Sequence, residues 1–172
     1  MRKGYREILK DLALQLGFAP EQGGHTKLMK QVKISNPAEV SFHIGCDIVE
    51  IQRIQKAAER HSRFLSRIFT IAEIEECQQK ADPWPSYAAR FAAKEAVIKA
   101  MPGDFIPAFT DIEVTRQQQG KPQLLFRGNT QAYLESIGWK GWSVSLSHEK
   151  SHAMAVVLSW REGAKGVAPC EL

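Results

Sequence analysis

Cysteine is scarce in this sequence, and long hydrophobic runs are absent. The three cysteines, Cys46, Cys77 and Cys170, lack the close spacing that metal-binding cysteines show. A small, odd number of cysteines argues against a disulfide framework and is typical of a reducing compartment. No apolar run approaches the ~20 residues that span a bilayer, and charged residues interrupt the segment after Met1 too early for a signal-peptide core. We therefore expect a cytoplasmic protein with no membrane partner.

The composition is that of a globular protein. Of the 172 residues, 44% are hydrophobic and 24% are charged, and the formal net charge is +4. A chain of this length can bury roughly 70% of the surface that its unfolded form exposes, so a domain with a real core is expected. Because the net charge is modest, the placement of the charges is more informative than their total.

The first forty residues differ in pattern from the rest. Apolar residues recur there at helical spacing, at Tyr5, Ile8, Leu9, Leu12 and Leu16. Glycines and a proline follow and end the pattern. We therefore predict an N-terminal extension over residues 1–40, formed by an amphipathic helix and a linker. A main domain over residues 41–160 and a flexible tail over residues 161–172 complete the predicted organisation.

The pattern in the first half of the main domain predicts one strand followed by helices. The segment FHIGCDIVEI predicts a strand with Asp47 at or near its end, and one long basic helix is expected to follow it. Thr70 and Glu73 have capping-box spacing and predict the start of another helix. An alanine-rich segment predicts a third helix over residues 86–101.

The second half of the main domain is predicted to contain four strands and one helix. The segments DIEVTR and QLLFRG, separated by the turn QQQGKP, predict a strand pair. A helix is expected over residues 129–138 with Asn129 as its cap, and two strands follow. Together with the first half, this order predicts an α+β domain.

Residues 148–152, HEKSH, match the H-E-x-x-H pattern of zinc peptidases. Two histidines at this spacing share one metal only if they lie on a helix. Trp142, Val144 and Leu146 alternate with serines before the pattern, and an apolar run follows it, which predicts two strands joined by a hairpin turn. We therefore favour a hairpin over a zinc hydrolase, with His148 at the end of the first strand.

Two carboxylates, Asp47 and Glu95, stand in apolar surroundings. Phe91, Glu95 and Lys99 share a helical face that turns towards the core, where an unpaired glutamate is costly. Two acids with few other ligands suit a hard cation such as magnesium when substrate phosphates supply the remaining oxygens. The alternative is that Glu95 forms a surface ion pair with Lys94 or Lys99.

Five cations follow one another at spacings of three and four residues, which would place them in one stripe of a single helix. They are Arg53, Lys56, Arg60, Arg63 and Arg67. Such a stripe suggests an acidic partner, either a nucleic acid or an acidic protein, and a merely solvated face is the alternative. Only Phe64 supplies an aromatic side chain among them, which disfavours nucleic acid.

Four blocks of the sequence resemble, in order and at the right separations, the motifs of holo-acyl carrier protein synthase, the small bacterial type of 4'-phosphopantetheinyl transferase. They are IGCDIVEIQRI, ARFAAKEAVIKA, DIEVTRQQQGKP and SLSHEKSHAMAVV. The resemblance implies an α+β fold with a small antiparallel sheet packed on a long helix. It also implies magnesium-dependent transfer of 4'-phosphopantetheine from coenzyme A to a serine of apo acyl carrier protein. Whether that carrier serves fatty acid biosynthesis, polyketide synthesis or another pathway stays open. Adenosine 3',5'-bisphosphate is the expected second product.

The resemblance implies roles for individual residues. Asp47 and Glu95 match the magnesium ligands, and Glu95 and Lys99 are the expected catalytic residues. The residues expected to contact the coenzyme are Arg90, Lys94, Lys99, Gly120, Lys121, Pro122 and His148. The five cations of the basic stripe are expected to contact the acidic carrier protein. The base that takes the proton of the serine stays open between Glu95 and a metal-bound water.

The family also typically forms trimers with sites between neighbouring subunits, so we expect a homotrimer in which Arg90 or His148 acts across an interface. Two positions depart from the family pattern. Cys46 stands where a branched aliphatic residue is usual. The loop MPGDFIPAFT replaces a glycine-rich loop, which leaves open how residues 101–110 meet the coenzyme.

Overall fold

Five strands form two antiparallel sheets in the part of the chain that the computed structural model describes, residues 41–117 and 120–161. In chain order they are β1 (Phe42–Glu50), β2 (Ile112–Arg116), β3 (Pro122–Phe126), β4 (Gly141–His148) and β5 (His152–Trp160). The larger sheet has the order β1-β5-β4, and β2 pairs with β3. The predicted strand pair and the predicted final hairpin are both confirmed. The extension over residues 1–40 and the tail beyond residue 161 lie outside the described residues.

Five α-helices accompany the sheets in the same ranges. They are α1 (Ile51–Arg60), α2 (Phe64–Ile68), α3 (Ile71–Gln78), α4 (Trp84–Lys99) and α5 (Gly128–Ser136). A short 3-10 turn, Phe109–Asp111, precedes β2. None of the described helices is long and apolar enough to cross a bilayer. The predicted α+β fold, with a small antiparallel sheet on a long helix, is confirmed.

Local sequence signals explain where two of the helices begin. The Thr70 hydroxyl accepts from the backbone N–H of Glu73 at 3.3 Å, and the Glu73 carboxylate accepts from the N–H of Thr70 at 2.8 Å. This is the predicted capping box of α3. Helix α4 carries Pro85 in its first turn. Backbone N–H groups in the first turn of a helix have no acceptor within the helix, so the N–H that proline lacks costs no helical hydrogen bond.

Two local predictions are wrong. The single basic helix is two helices, because His61 adopts an extended conformation and ends α1. Asn129 does not cap α5 but lies inside it, and the Asp111 carboxylate accepts from the N–H and hydroxyl of Thr130 instead. Asp47 lies near the end of β1, which ends at Glu50, and is paired in register with Ala155.

Helix α4 packs against β1 and β5 through small side chains. Buried alanines lie on both sides of this layer, including Ala92 and Ala96 on α4 and Ala155 on β5. Gly45 of β1 lies so close to α4 that a Cβ at this position would overlap the carbonyl oxygen of Ala96. Since alternate residues of a strand share a face, Asp47, two residues after Gly45, also faces α4.

The opposite face of the larger sheet is apolar and exposed. Its large side chains are Phe42, Ile44 and Ile48 of β1 and Met154, Val156 and Leu158 of β5. Ile48, for example, is 63% exposed. A contiguous apolar patch of this kind commonly marks an interaction surface.

Candidate active site

Asp47, Glu95 and Lys99 come together where β1 faces the second half of α4. The ammonium of Lys99 donates to Asp47 Oδ1 at 2.8 Å and to the backbone carbonyl of Cys46 at 2.8 Å. The Lys99 side chain is 46% exposed, whereas that of Asp47 is 18% exposed. The lysine is therefore held by the strand while its ammonium remains accessible to a ligand.

Glu95 is half-buried beside this pair. Burial raises the pKa of Glu95, the negative charge of Asp47 raises it further, and the positive charges of Lys99 and Arg53 oppose both effects. Among the described residues, neither Lys94 nor Lys99 forms an ion pair with Glu95. The alternative of a surface ion pair within α4 is therefore wrong.

Asp47 and Glu95 have the donor chemistry that a magnesium ion requires. Their carboxylate oxygens are hard ligands, and the pKa of Glu95 is raised mainly by burial and further by the negative charge of Asp47. In the described ranges no group of three or more His, Cys, Asp or Glu side chains is placed to hold a metal. A cation at this pair would thus need further oxygens from substrate or water, as magnesium in phosphate-binding sites usually does.

Lys94 does not lie at the surface as a cation for the coenzyme. Its ammonium is fully buried and donates to Glu73 Oε2 at 2.7 Å. It also donates to the backbone carbonyls of Ile68, Phe109 and Ile112 at 2.6–2.9 Å. Because these acceptors occupy the ammonium, the predicted coenzyme contact of Lys94 is a mistake, and the residue joins α3, α4 and β2 instead.

A second feature is a cavity of about 740 Å³ between α4, the β2–β3 pair and β4. Of the residues predicted to contact the coenzyme, Arg90, Lys121, Pro122 and His148 line it. Gly120 lies in the adjoining turn with a φ of +78°, a conformation that glycine adopts readily, but it is not part of the lining. Lys99 belongs to the Asp47 cluster instead.

The cavity is basic. Lys80, Arg90, Arg116, Lys121 and Lys140 line it, and no aspartate or glutamate occurs among the described residues of its wall. Trp142 and Phe126 supply an aromatic pair with ring centroids 4.7 Å apart. This combination of cations and aromatic rings suits an anionic ligand that carries a flat ring system.

Two buried donors of residues that line this cavity have no hydrogen-bond partner among the residues that the structure describes. They are Nε of Arg90 and Nε1 of Trp142. A buried unpaired donor costs free energy, so a ligand acceptor that reaches either atom would gain more than one at an exposed site. Sequence reasoning missed Trp142, Lys80, Arg116 and Lys140 as lining residues, because their convergence depends on how α3 and the two sheets meet.

The five cations of the basic stripe divide between two helices. Arg53, Lys56 and Arg60 lie on α1 and line a groove of about 320 Å³ together with Glu50 and His61. Arg63 precedes α2 and Arg67 lies in its last turn. The cations therefore belong to two separate helical segments rather than to one continuous helix.

The histidines of HEKSH belong to a hairpin. His148 ends β4 and His152 begins β5, so the helix on which a zinc-peptidase motif depends is not formed. Hydrogen bonds from Ser151 lower the pKa of Glu149 to about 2, and the same carboxylate accepts from the N–H of His152. Glu149 is thus engaged in closing the turn.

Comparison with known proteins identifies the fold and the family. A sequence model of the 4'-phosphopantetheinyl transferase superfamily matches residues 43–157. This chain belongs to that superfamily. The match includes Asp47, Glu95, Lys99 and His148. It does not include the first forty residues of the chain.

Relatives and solved structures agree with this assignment. The holo-[acyl-carrier-protein] synthase of Ruminiclostridium cellulolyticum is 45% identical over 117 residues, covering 65% of this chain and 87% of the relative. That of Leptospira biflexa is 42% identical over 123 residues, covering 69% and 96%. The Neisseria meningitidis holo-[acyl-carrier-protein] synthase structure has a TM-score of 0.63 at 32% identity, covering 68% of this chain and 96% of that one. The Helicobacter pylori synthase in complex with coenzyme A has a TM-score of 0.59 at 32% identity, covering 67% and 98%.

Proposed function

We propose that this protein transfers the 4'-phosphopantetheine group of coenzyme A to a serine of apo acyl carrier protein. The products are holo acyl carrier protein and adenosine 3',5'-bisphosphate. The observation that carries the proposal is the cluster of Asp47, Glu95 and Lys99, found in a chain 45% identical to a holo-[acyl-carrier-protein] synthase.

In this reaction the serine oxygen attacks the phosphorus that carries the pantetheine arm. A new P–O bond forms to the serine, and the P–O bond to adenosine 3',5'-bisphosphate breaks. Lys99 is accessible and held by Asp47, so its ammonium can stabilise the charge that develops on the leaving phosphate. Glu95, whose carboxylate is not part of the Asp47–Lys99 ion pair, is the group proposed to accept the proton of the serine as its oxygen attacks.

Asp47 and Glu95 are the residues that would hold magnesium. When bound there, the ion would supply Lewis-acid stabilisation of the negative charge on the pyrophosphate. Its binding would also relieve the repulsion between the two carboxylates, which is one cause of the raised pKa of Glu95.

The basic cavity is the proposed site for the nucleotide part of the coenzyme. Its cations suit phosphate esters, and the Trp142–Phe126 pair suits an adenine ring. The described residues that line this cavity do not include Asp47, Glu95 or Lys99 of the same chain. This separation supports a site assembled from neighbouring subunits, with Arg90 and His148 contributed by one and the carboxylates by the next.

A homotrimer also accounts for the exposed apolar face of the larger sheet. Phe42, Ile44 and Ile48 would become buried between subunits, together with the large side chains of β5. Burial of such a patch is a main driving force for stable homo-oligomers. The cations on α1 and α2 would remain outside as the surface for the acidic carrier protein.

Mass spectrometry tests the proposed function directly. Incubation of the protein with coenzyme A, magnesium and a panel of apo carrier proteins should add the mass of one 4'-phosphopantetheine group to at least one carrier. A carrier whose target serine is replaced by alanine is the control and should gain no mass. If no carrier in a broad bacterial panel gains this group, the proposed function is wrong.

A further inference from the structure

Glu76 lies behind the basic cavity and joins two of its cations. Its Oε2 accepts from Arg90 at 2.6 Å, and its Oε1 accepts from Nε of Arg116 at 3.2 Å. Both arginines line the cavity, whereas Glu76 does not. The carboxylate therefore touches the ligand-facing cations without itself facing the proposed ligand site.

We propose that Glu76 is a positioning residue for coenzyme A, holding Arg90 and Arg116 at the cavity wall so that their guanidinium groups meet the coenzyme's phosphate esters. This inference rests on the proposed function, because it assigns coenzyme A to the cavity.

The state of Arg90 is the first argument. Its side chain is 5% exposed, so its charge needs a partner within the protein, and Glu76 supplies one. With one nitrogen fixed by Glu76, Nε is buried and has no partner among the described residues. Glu76 therefore fixes the guanidinium of an arginine that lines the cavity, where an anionic acceptor could meet it.

Arg116 gives the second argument. Besides Glu76, it donates to the backbone carbonyl of Gly120 at 3.3 Å. Gly120 lies in the turn between β2 and β3, beside the cavity residues Lys121 and Pro122. Glu76 thus connects α3 to this turn through Arg116, and loss of the carboxylate would release the arginine from its present position.

Electrostatics is the third argument. Burial alone would raise the pKa of Glu76, but hydrogen bonds and charge from Arg90 and then Arg116 outweigh it, and the pKa is lowered. Glu76 is therefore ionised at neutral pH. Without its charge the two guanidinium groups, both near one carboxylate now, would repel each other and move apart.

Steady-state kinetics of Glu76→Gln provides the test. We expect the KM for coenzyme A to rise roughly tenfold, as expected when charge-assisted hydrogen bonds to a ligand are misaligned. The kcat and the KM for the carrier protein should change by less than about twofold, because the Asp47 cluster is elsewhere. Calorimetric titration with adenosine 3',5'-bisphosphate should show a similar loss of affinity. Glu75→Gln is the matched control, since Glu75 is the exposed neighbouring acid on α3 and does not line the cavity.

A double-mutant cycle separates positioning from a general loss of structure. The effect of Glu76→Gln on the KM for coenzyme A should be smaller in an Arg116→Gln background, because one of the two arginines that Glu76 holds is already absent. If the effects of the two substitutions on the KM for coenzyme A are fully additive, the inference is wrong. It is also wrong if a folded Glu76→Gln protein has an unchanged KM for coenzyme A. Either result would leave the proposed function standing. If Glu76→Gln does not fold, Arg116→Gln alone provides the test, because the Arg116 side chain is 54% exposed and its replacement should not unfold the protein. An unchanged KM for coenzyme A in Arg116→Gln would also contradict the inference. A wild-type protein that binds no coenzyme A would overturn both this inference and the proposed function.

Discussion

The ammonium of Lys94 lies 2.7 Å from the carboxylate of Glu73, and both side chains are excluded from solvent. Lys99, further along α4, instead pairs with Asp47 where solvent can reach it. Two lysines five residues apart on one helix therefore have different tasks, one in the core and one at the candidate active site.

Lys94→Met should destabilise the fold by about 3–5 kcal/mol, because it leaves the Glu73 carboxylate buried without its counter-charge. The free energy of unfolding in urea measures this change. Lys99→Met is the matched substitution and should leave stability nearly unchanged while lowering transfer by about a hundredfold or more. Equal stability losses in the two variants would show that Lys94 is not the buried partner described above.

Glu95→Gln should stabilise the protein at neutral pH while abolishing transfer. Because the pKa of Glu95 is raised in the folded state, the folded chain binds the proton more tightly than the unfolded chain. Stability due to this group is therefore present at low pH and is lost as pH rises from the ordinary value of 4.5 through the raised value. Glutamine cannot ionise and avoids that loss.

Thermal unfolding at several pH values measures the effect. The variant and wild type should unfold at similar temperatures below pH 4.5, and the variant should be the more stable one at neutral pH. Glu75→Gln removes an exposed carboxylate and should not change the pH dependence. A Glu95→Gln protein that is less stable than wild type at neutral pH would contradict the raised pKa.

Magnesium should stabilise the wild-type protein, and a chelator should reverse the effect. An ion present at a hundred times its dissociation constant adds about 2.7 kcal/mol to the free energy of unfolding. Asp47→Asn should lose most of this stabilisation because one of two carboxylate ligands is gone. Glu135→Gln, which removes an exposed acid on α5, should keep it. Equal stabilisation of Asp47→Asn and wild type would place the metal elsewhere.

Charge reversal on α1 should weaken recognition of the carrier protein. Arg60→Glu is expected to raise the KM for an acidic carrier by roughly tenfold, with little change in the KM for coenzyme A. The difference should diminish as salt shortens the Debye length from about 10 Å at 0.1 M to about 3 Å at 1 M. Lys150→Glu, in the exposed β4–β5 turn, is the control. If Lys150→Glu raises the KM for the carrier as much as Arg60→Glu does, the carrier responds to the net charge of the protein and not to the α1 surface.

Ile48→Lys should dissociate the proposed trimer and reduce transfer together with assembly. The side chain is 63% exposed in the single chain, so a lysine costs little there unless a neighbouring subunit covers it. Light scattering after size-exclusion chromatography measures the mass. Ile71→Lys is the matched control, because Ile71 is 77% exposed at the start of α3. A monomeric wild-type protein that transfers normally would refute the trimer.

The sequence predicted those parts of the fold that depend on local signals. The capping box at Thr70, the alternation before His148 and the alanine-rich helix all act through residues close in the chain, and the structure confirms each element. Two of the predictions that were wrong involve partners distant in sequence. Helix α5 takes its cap from Asp111, and Lys94 finds Glu73, neither of which helical spacing can reveal.

The candidate site followed the same division. Asp47 and Glu95 were recognisable because acids in apolar surroundings are unusual in both a strand and a helix. Glu76 carried no such signal, since it stands among other acids on an ordinary amphipathic helix. Its contacts with Arg90 and Arg116 arise only when α3 packs beside α4 and β2.

The close approach of Gly45 to Ala96 has a consequence for the precision of the candidate site. Between β1 and α4 the layer is built largely from glycine and alanine, which have no side-chain torsions to change. The spacing of the backbone between Asp47 on β1 and Glu95 on α4 is therefore set by close packing that few core rotamers can disturb. A metal or substrate that brings the two carboxylates together needs to order only their own side-chain torsions.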